Sequence, residues 1–237
     1  MRLRTALSGI SVALVCGFSL AAYAYTGSLM LEELVDNATL PPVDQRLPSN
    51  PRVINVEGEG VEAGRHGGAI RLLMGRNKDV RLMVVYGYSR LVGYNESYDL
   101  VPDILESLEN EGDRVFTLYL REGHKWSDGH PFTTEDFRYY WEDIANAPDL
   151  SPLGIPQAFI VGDEPPMVEI IDATTVRYTW STPNPNFLPG LAASRPLVVF
   201  SPAHYLKQFH GKYADPETLY QLVSEAGQRN WAALHTN

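Results

Sequence analysis

Leu120-Arg121-Glu122-Gly123-His124-Lys125-Trp126-Ser127-Asp128-Gly129-His130-Pro131-Phe132-Thr133-Thr134-Glu135-Asp136-Phe137 is the stretch on which the reading of the fold turns. It leaves an alternating run, Arg114 to Leu120, with Val115, Thr117 and Tyr119 on one face and Phe116, Leu118 and Leu120 on the other. That period of two predicts a strand. Ser127-Asp128-Gly129 is a turn signal, and Pro131 stiffens the approach to the next element. Thr133 can cap a helix from Thr133 to Ala145, with Asp136 three residues on, an arrangement worth on the order of 1 kcal/mol. Phe137, Tyr140, Trp141 and Ile144 fall at i, i+3, i+4 and i+7, so one helix face is aromatic and buried. Pro148 ends it.

Outward from this block the elements are mixed. Val168–Ile171 and Thr175–Trp180 read as a strand pair around Asp172-Ala173-Thr174. Leu197–Phe200 and Ala69–Met74 read as strands, and Ile104–Leu108 as a short helix after Pro102. Asp79–Tyr88 is apolar with no clear period. Pro202–Gln208 and Pro216–Ala226 read as helices, the second with Asp215 as cap and Gly227 as stop. Tyr25–Gly64 is rich in proline and glycine and reads as an extension over a surface. Strands mixed with helices without a repeat predict a mixed α/β domain.

The first residues bear on the compartment. Arg2 and Arg4 precede an apolar run from Ala6 to Leu20, and Ala22-Tyr23-Ala24 offers small residues for cleavage. This predicts a secretory signal peptide over residues 1–24. Cys16 is the one cysteine. A chain beginning at Tyr25 would hold none, which excludes disulfides, thiolate metal sites and a cysteine nucleophile. The formal charge of −10 becomes −12 without the two arginines. That sign disfavours nucleic acid as a partner.

Catalytic patterns fail one after another. Gly58 to Gly64 places its third glycine one residue late for a dinucleotide loop. Gly87-Tyr88-Ser89-Arg90-Leu91 has leucine where a nucleophile elbow needs glycine. His124 and His130 lack partners at metal-ligand spacing. Glu135, Asp136, Glu142 and Asp143 crowd the helix, but helical spacing sends most of them to solvent, and the first two favour its positive end. The reading is a protein that is not an enzyme, with no cofactor and no metal. Tyr86, Tyr88, Tyr94 and Tyr98 remain, a tyrosine-rich region with Ser and Arg nearby that suits a polar ligand with apolar bulk.

The quoted block resembles the signature of the extracellular solute-binding proteins of family 5, which include oligopeptide-, dipeptide- and nickel-binding proteins. Every element of that pattern is present except an alanine, replaced by Thr134. Leu100–Glu109, Asp172–Val176 and Pro183–Leu188 are similar to its flanks, so the resemblance runs from about Gly67 to Tyr213. It implies a type II periplasmic-binding-protein fold, present as part of lobe one only, because members are longer than this chain. By the same likeness residues 25–66 are an N-terminal extension, 67–92 and 186–237 belong to lobe one, and 93–185 form a family-specific subdomain. The implied function is the substrate-binding component of an ABC importer, which takes a peptide or other small solute in the periplasm and docks on a permease in the inner membrane. The alternatives are a secreted hydrolase or a non-transport interaction module. The resemblance points ligand contacts toward Tyr86, Tyr88, Ser89 and Arg90, with Arg90 as partner for a ligand carboxylate.

Overall fold

The computed structural model describes residues 25–54, 62, 64, 65, 67–79 and 89–237. The expected leader and Tyr86 and Tyr88 lie outside the described residues, as does all of Asp79–Tyr88 except Asp79.

The extension carries two short helices, α1 (Glu32–Asp36) and α2 (Val43–Arg46). No described residue before Leu91 is buried. A hairpin of β1 (Val92–Tyr94) and β2 (Leu100–Pro102) then leads into β3 (Leu105–Glu111) and β4 (Val115–Leu120). Helix α3 (Thr134–Arg138) continues as a π-helical segment, Tyr139–Ala145. Strands β5 (Met167–Ile170) and β6 (Thr175–Thr179) complete an antiparallel sheet in the order β3-β4-β6-β5. Helices α4 (Phe187–Ala192), α5 (Ala203–Leu206), α6 (Pro216–Glu225) and α7 (Trp231–His235) come after it.

Strand β4 behaves as its alternation requires. Phe116, Leu118 and Leu120 are buried, each worth about 1.5–3 kcal/mol of transfer free energy. Across the ladder Phe116 faces Tyr178 and Leu118 faces Val176. Phe137 and Tyr140 of the long helix, with Phe187, Leu188 and Leu191 of α4, close the same core. Trp180 extends it and donates from Nε1 to the carbonyl of Phe159 (2.8 Å).

Three expectations from the sequence are corrected. Ile104–Leu108 enters a strand, not a helix. Its apolar residues have helical spacing, yet Leu105 and Leu108 both reach the core because the β3–β4 register shifts between Leu105 and Ser107. An extra residue in a bulge changes the phase of alternation and turns both leucines inward. Ala69–Met74 and Leu197–Phe200 form no strand. A strand is stable only when its backbone groups find a ladder partner, and no described segment pairs with either; Ile70, Leu73 and Val198 are exposed instead.

The long helix departs from its expected face. Phe137 and Tyr140 are buried as the spacing predicts, but so are Tyr139 and Asp143. The π-helical segment widens the turn, and residues five apart then lie above one another. Arg138 Nη1 accordingly donates to Asp143 Oδ2, five residues on (3.0 Å). The helix thus presents a second buried side to the C-terminal segment, where Tyr139 meets His210, Tyr213 and His235.

Candidate functional site

The signature turn resolves into a tightly wired scaffold. Asp136 is 3% exposed and ties the signature turn, the start of its own helix and α5 together. Its Oδ2 accepts from Thr133 N–H (3.0 Å), which completes the expected cap, and from Trp126 Nε1 (3.1 Å). Its Oδ1 accepts from Ala203 N–H (2.9 Å), at the start of α5. Trp126 packs its ring against Phe132 and Phe200 at centroid distances of 5.4 and 5.9 Å. The turn closes through Gly129 N–H to Trp126 O (2.9 Å), with Gly129 at φ +89°, where glycine is favoured.

The extension straps this turn from outside. Ser49 N–H donates to Glu122 O (2.9 Å), Arg121 Nη1 to Asn50 O (2.9 Å), and Lys125 Nζ to Leu47 O (3.4 Å). Arg52 pairs with Asp103 at 2.7 Å. Nothing in the proline-rich sequence marks these contacts, because they are mostly made by backbone carbonyls and a backbone N–H.

Of the four expected ligand residues, two are described. Ser89 is exposed and Arg90 is half-buried. Arg90 N–H donates to Asp103 Oδ2 (3.1 Å), and its Nε donates to Ala193 O (2.9 Å). Arg90 therefore clasps the β2–β3 junction and the end of α4 together. A ligand carboxylate would share its guanidinium with that carbonyl. Two cavities flank the pair. One, of about 250 Å³, is mostly apolar, with Leu91, Leu191 and Phe200 in its wall. The other, of about 470 Å³, lies under the strap, with Arg121, His124 and Asp103 in its wall. Burial, with Arg121 and Lys125 nearby, lowers the pKa of His124. A third cavity, of about 580 Å³, is lined by Gln157, Asn184 and Asn186.

The carboxylates on the long helix divide between caps and ion pairs. Arg138 bonds Glu135 at 2.7 Å, and Lys207 joins it at 2.6 Å. Arg138 first, against the opposing effect of burial and with help from Lys207, holds Glu135 down to about 2. Most of the four carboxylates were expected at solvent, but two are buried: Asp136 at 3% and Asp143 at 4% exposed. Burial would raise the pKa of Asp143, but Lys212 (2.7 Å), Tyr213 (2.6 Å) and Arg138 together bring it below the usual range. Beside it Tyr139 Oη meets His235 Nε2 at 2.7 Å. Burial, then His210, pushes His235 down to about 4, so it is neutral near pH 7. The charged groups of this cluster are paired with one another, although Lys212 and Glu142 also reach solvent.

His130 and His204 stack at 3.9 Å with rings nearly parallel, and His204 Nε2 contacts Asp128 Oδ2 at 2.7 Å. Among the described residues no group of three or more His, Cys, Asp or Glu side chains is placed to hold a metal ion. None of the helices they form is long and apolar enough to cross a membrane.

Comparison with known proteins agrees with this picture of a binding scaffold. The periplasmic alpha-galactoside-binding protein of Rhizobium meliloti is 28% identical over 221 residues, covering 77% of this chain and 29% of that protein. The periplasmic murein peptide-binding protein MppA of Escherichia coli is 33% identical over 113 residues, 43% of this chain and 21% of its own length. Among solved structures, an oligopeptide-binding protein OppA superposes with a TM-score of 0.74 at 33% identity, covering 90% of this chain and 32% of that one. The periplasmic binding protein MelB of Agrobacterium fabrum, in complex with stachyose, gives a TM-score of 0.54 at 28% identity, over 78% of this chain and 30% of its own. The chain thus spans about a fifth to a third of the length of these relatives. Its mixed α/β fold matches part of the OppA-like periplasmic-binding-protein structures. The model of the bacterial extracellular solute-binding proteins, family 5 Middle, matches residues 99–224, more than half of the chain. The chain belongs to the family 5 bacterial extracellular solute-binding proteins, which bind solutes and are not enzymes.

Proposed function

We propose that this chain is part of the substrate-binding component of an ABC importer, which captures peptides or related solutes in the periplasm and delivers them to an inner-membrane permease. The observation that carries the reading is the family match over residues 99–224, which contains the signature whose Asp136 accepts from Trp126, Thr133 and Ala203. Such a scaffold serves binding, and the family assignment supports the same conclusion. Export by cleavage after Ala24 and the division into lobe-one segments (67–92 and 186–237) around a subdomain (93–185) are parts of this reading. The ligand would rest against Tyr86, Tyr88, Ser89 and Arg90.

The solute class divides the relatives. Two are named for peptides, and two for a galactoside or complexed with stachyose. The test is calorimetry on the full gene product with a panel of peptides, sugars and nickel. Binding by at least one solute, weakened in Tyr88→Ala and Arg90→Ala, is the expected result. The melting temperature must be followed in parallel, because Arg90 also clasps Ala193. Undiminished affinity in both variants would place the ligand elsewhere. No binding across the panel would remove the receptor reading itself.

A further inference from the structure

The extension meets the Ser89–Arg90 ridge at one carboxylate. Asp103 Oδ1 accepts from Arg52 Nη1 (2.7 Å), and its Oδ2 accepts from the backbone N–H of Arg90 (3.1 Å). The carbonyl of Arg90 accepts from Ile104 N–H (2.9 Å), so both polar groups of that main-chain unit are held by residues 103 and 104. Ser89, next to Arg90, stands in the wall of both flanking cavities. A shift of this short segment therefore changes the shape of both.

The place of Arg52 is set by where the extension lies. Residues 47–50 are anchored on the signature turn: Ser49 N–H donates to Glu122 O, while Leu47 O and Asn50 O accept from Lys125 and Arg121. The approach is close enough to demand glycine opposite. A Cβ on Gly123 would stand 3.1 Å from Ser49 Oγ and 3.5 Å from Ser49 N, and Gly123 has φ +75°. Asn50 Nδ2 also donates to Glu106 Oε1 (3.1 Å), beyond Asp103. The chain is thus fixed two residues before Arg52.

An ion pair near the surface is weak by itself, partly because two long side chains must be ordered to form it. The Arg52 and Asp103 side chains are 35% and 24% exposed. An anchored backbone lowers that ordering cost, because less freedom is left to lose. Once in place, the guanidinium takes one oxygen of Asp103 and leaves the other aimed at Arg90 N–H.

We infer that Arg52 and Asp103 are positioning residues for the ridge. Docking of the extension on the signature turn brings Arg52 to Asp103, and Asp103 holds the Arg90 main chain in place. The inference rests on the proposed function for the meeting of Ser89 and Arg90 with solute, but not for the coupling between strap and ridge.

The test uses the full gene product. Exchange of the Arg90 amide is followed in the unliganded protein by hydrogen–deuterium mass spectrometry. Affinities for trialanine and raffinose are measured by calorimetry, and melting temperatures in parallel. Asp103→Ala removes the acceptor and should speed exchange at Arg90 roughly tenfold or more. Arg52→Ala should speed it roughly two- to fivefold at an almost unchanged melting temperature, and Arg52→Lys, which keeps the charge, should restore most of the protection. Ser49→Pro removes the strap's N–H donor without touching the turn. It should match Arg52→Ala, and the double variant should be no worse than either single one. A probe that binds should lose affinity in the same order of variants. Unchanged exchange at Arg90 in Arg52→Ala overturns the inference. So do additive effects of Ser49→Pro and Arg52→Ala, since the strap would then not be what delivers Arg52. Faster exchange with undiminished affinity for a probe that binds overturns the role of the ridge in binding and leaves the receptor reading intact. Binding of neither probe, with exchange changing as expected, counts against the receptor reading and leaves the positioning of the ridge standing.

Discussion

Two buried polar residues, Asp136 and Asn184, have opposite circumstances. Both are almost fully enclosed. Asp136 has three donors on its carboxylate, from Trp126, Thr133 and Ala203. Asn184 has an amide nitrogen with no acceptor among the described residues. The first sits in the most recognisable stretch of the chain, the second in the weaker flank Pro183–Leu188. The contrast separates a buried polar group that ties the fold together from one that costs it stability. A group whose bonds are all internal stabilises and does not select. A group left unpaired costs stability.

The largest expected effect comes from removing the first of the pair. Asp136→Ala leaves Trp126 Nε1 and the N–H groups of Thr133 and Ala203 without acceptors. With hydrogen bonds to a charged group worth ~1.5–3 kcal/mol each and not additive, a loss of about 3–5 kcal/mol is expected in urea unfolding. A loss under ~1 kcal/mol would erase the contrast between the two residues. Trp126→Ala comes next. It removes the ring packed on Phe132 and Phe200 and one bond to Asp136. Because Trp126 is only partly buried, the cost should lie near the lower end of the usual range, about 3 kcal/mol. Unchanged thermal stability would mean that the turn is not pinned through this ring.

How much of this was legible beforehand depends on how local each feature is. The β4 alternation, the Thr133 cap and the Asp215 cap of α6 are written in residues a few positions apart, and all three form as their spacing predicts. The β3 strand was misread because a bulge hides its period. The second buried side of the long helix, with Tyr139 and Asp143, does not follow from a 3.6-residue count, because the π-helical segment breaks that count. Helix α7 was missed altogether, and with it the meeting of Tyr139 and His235 across ninety-six positions. The strap was invisible for a different reason, since its backbone contacts leave no trace in residue type. Of the four expected ligand residues, Ser89 and Arg90 rested on resemblance, and the bonds of Arg90 to Asp103 and Ala193, thirteen and 103 positions away, leave no local pattern.

The missed Tyr139–His235 contact yields a smaller, pH-dependent effect. His235 has its folded pKa lowered to about 4 from an ordinary 6.5. Between those values the unfolded chain binds the proton that the folded chain refuses, so stability rises with pH across the window and falls on acidification. The change should be on the order of 2–3 kcal/mol from pH 7 to pH 4. Glu135, held down to about 2, adds loss of the same sign only below about pH 4.5. Unfolding of wild type and His235→Phe should therefore diverge between pH 6.5 and 4, the variant having the shallower slope. Parallel slopes would show that His235 titrates normally and that its burial against Tyr139 does not persist in solution.

The smallest effect is the most discriminating, because its sign is reversed. Asn184→Leu keeps the volume of the side chain and removes the unpaired amide. The backbone bonds that fix the turn, to Asp113 and from Phe187, do not depend on the side chain. Replacing an unsatisfied buried polar group by an apolar one of similar shape is neutral or stabilising. The unliganded variant is expected to match wild type or exceed it by up to about 1 kcal/mol in urea unfolding. Asp136→Leu, of similar size and burial, should lose several kcal/mol in the same assay, as truncation to alanine does. If Asn184→Leu were destabilising by a comparable amount, its amide would have to be satisfied inside the folded chain. Asn184 would then belong with Asp136 as scaffold.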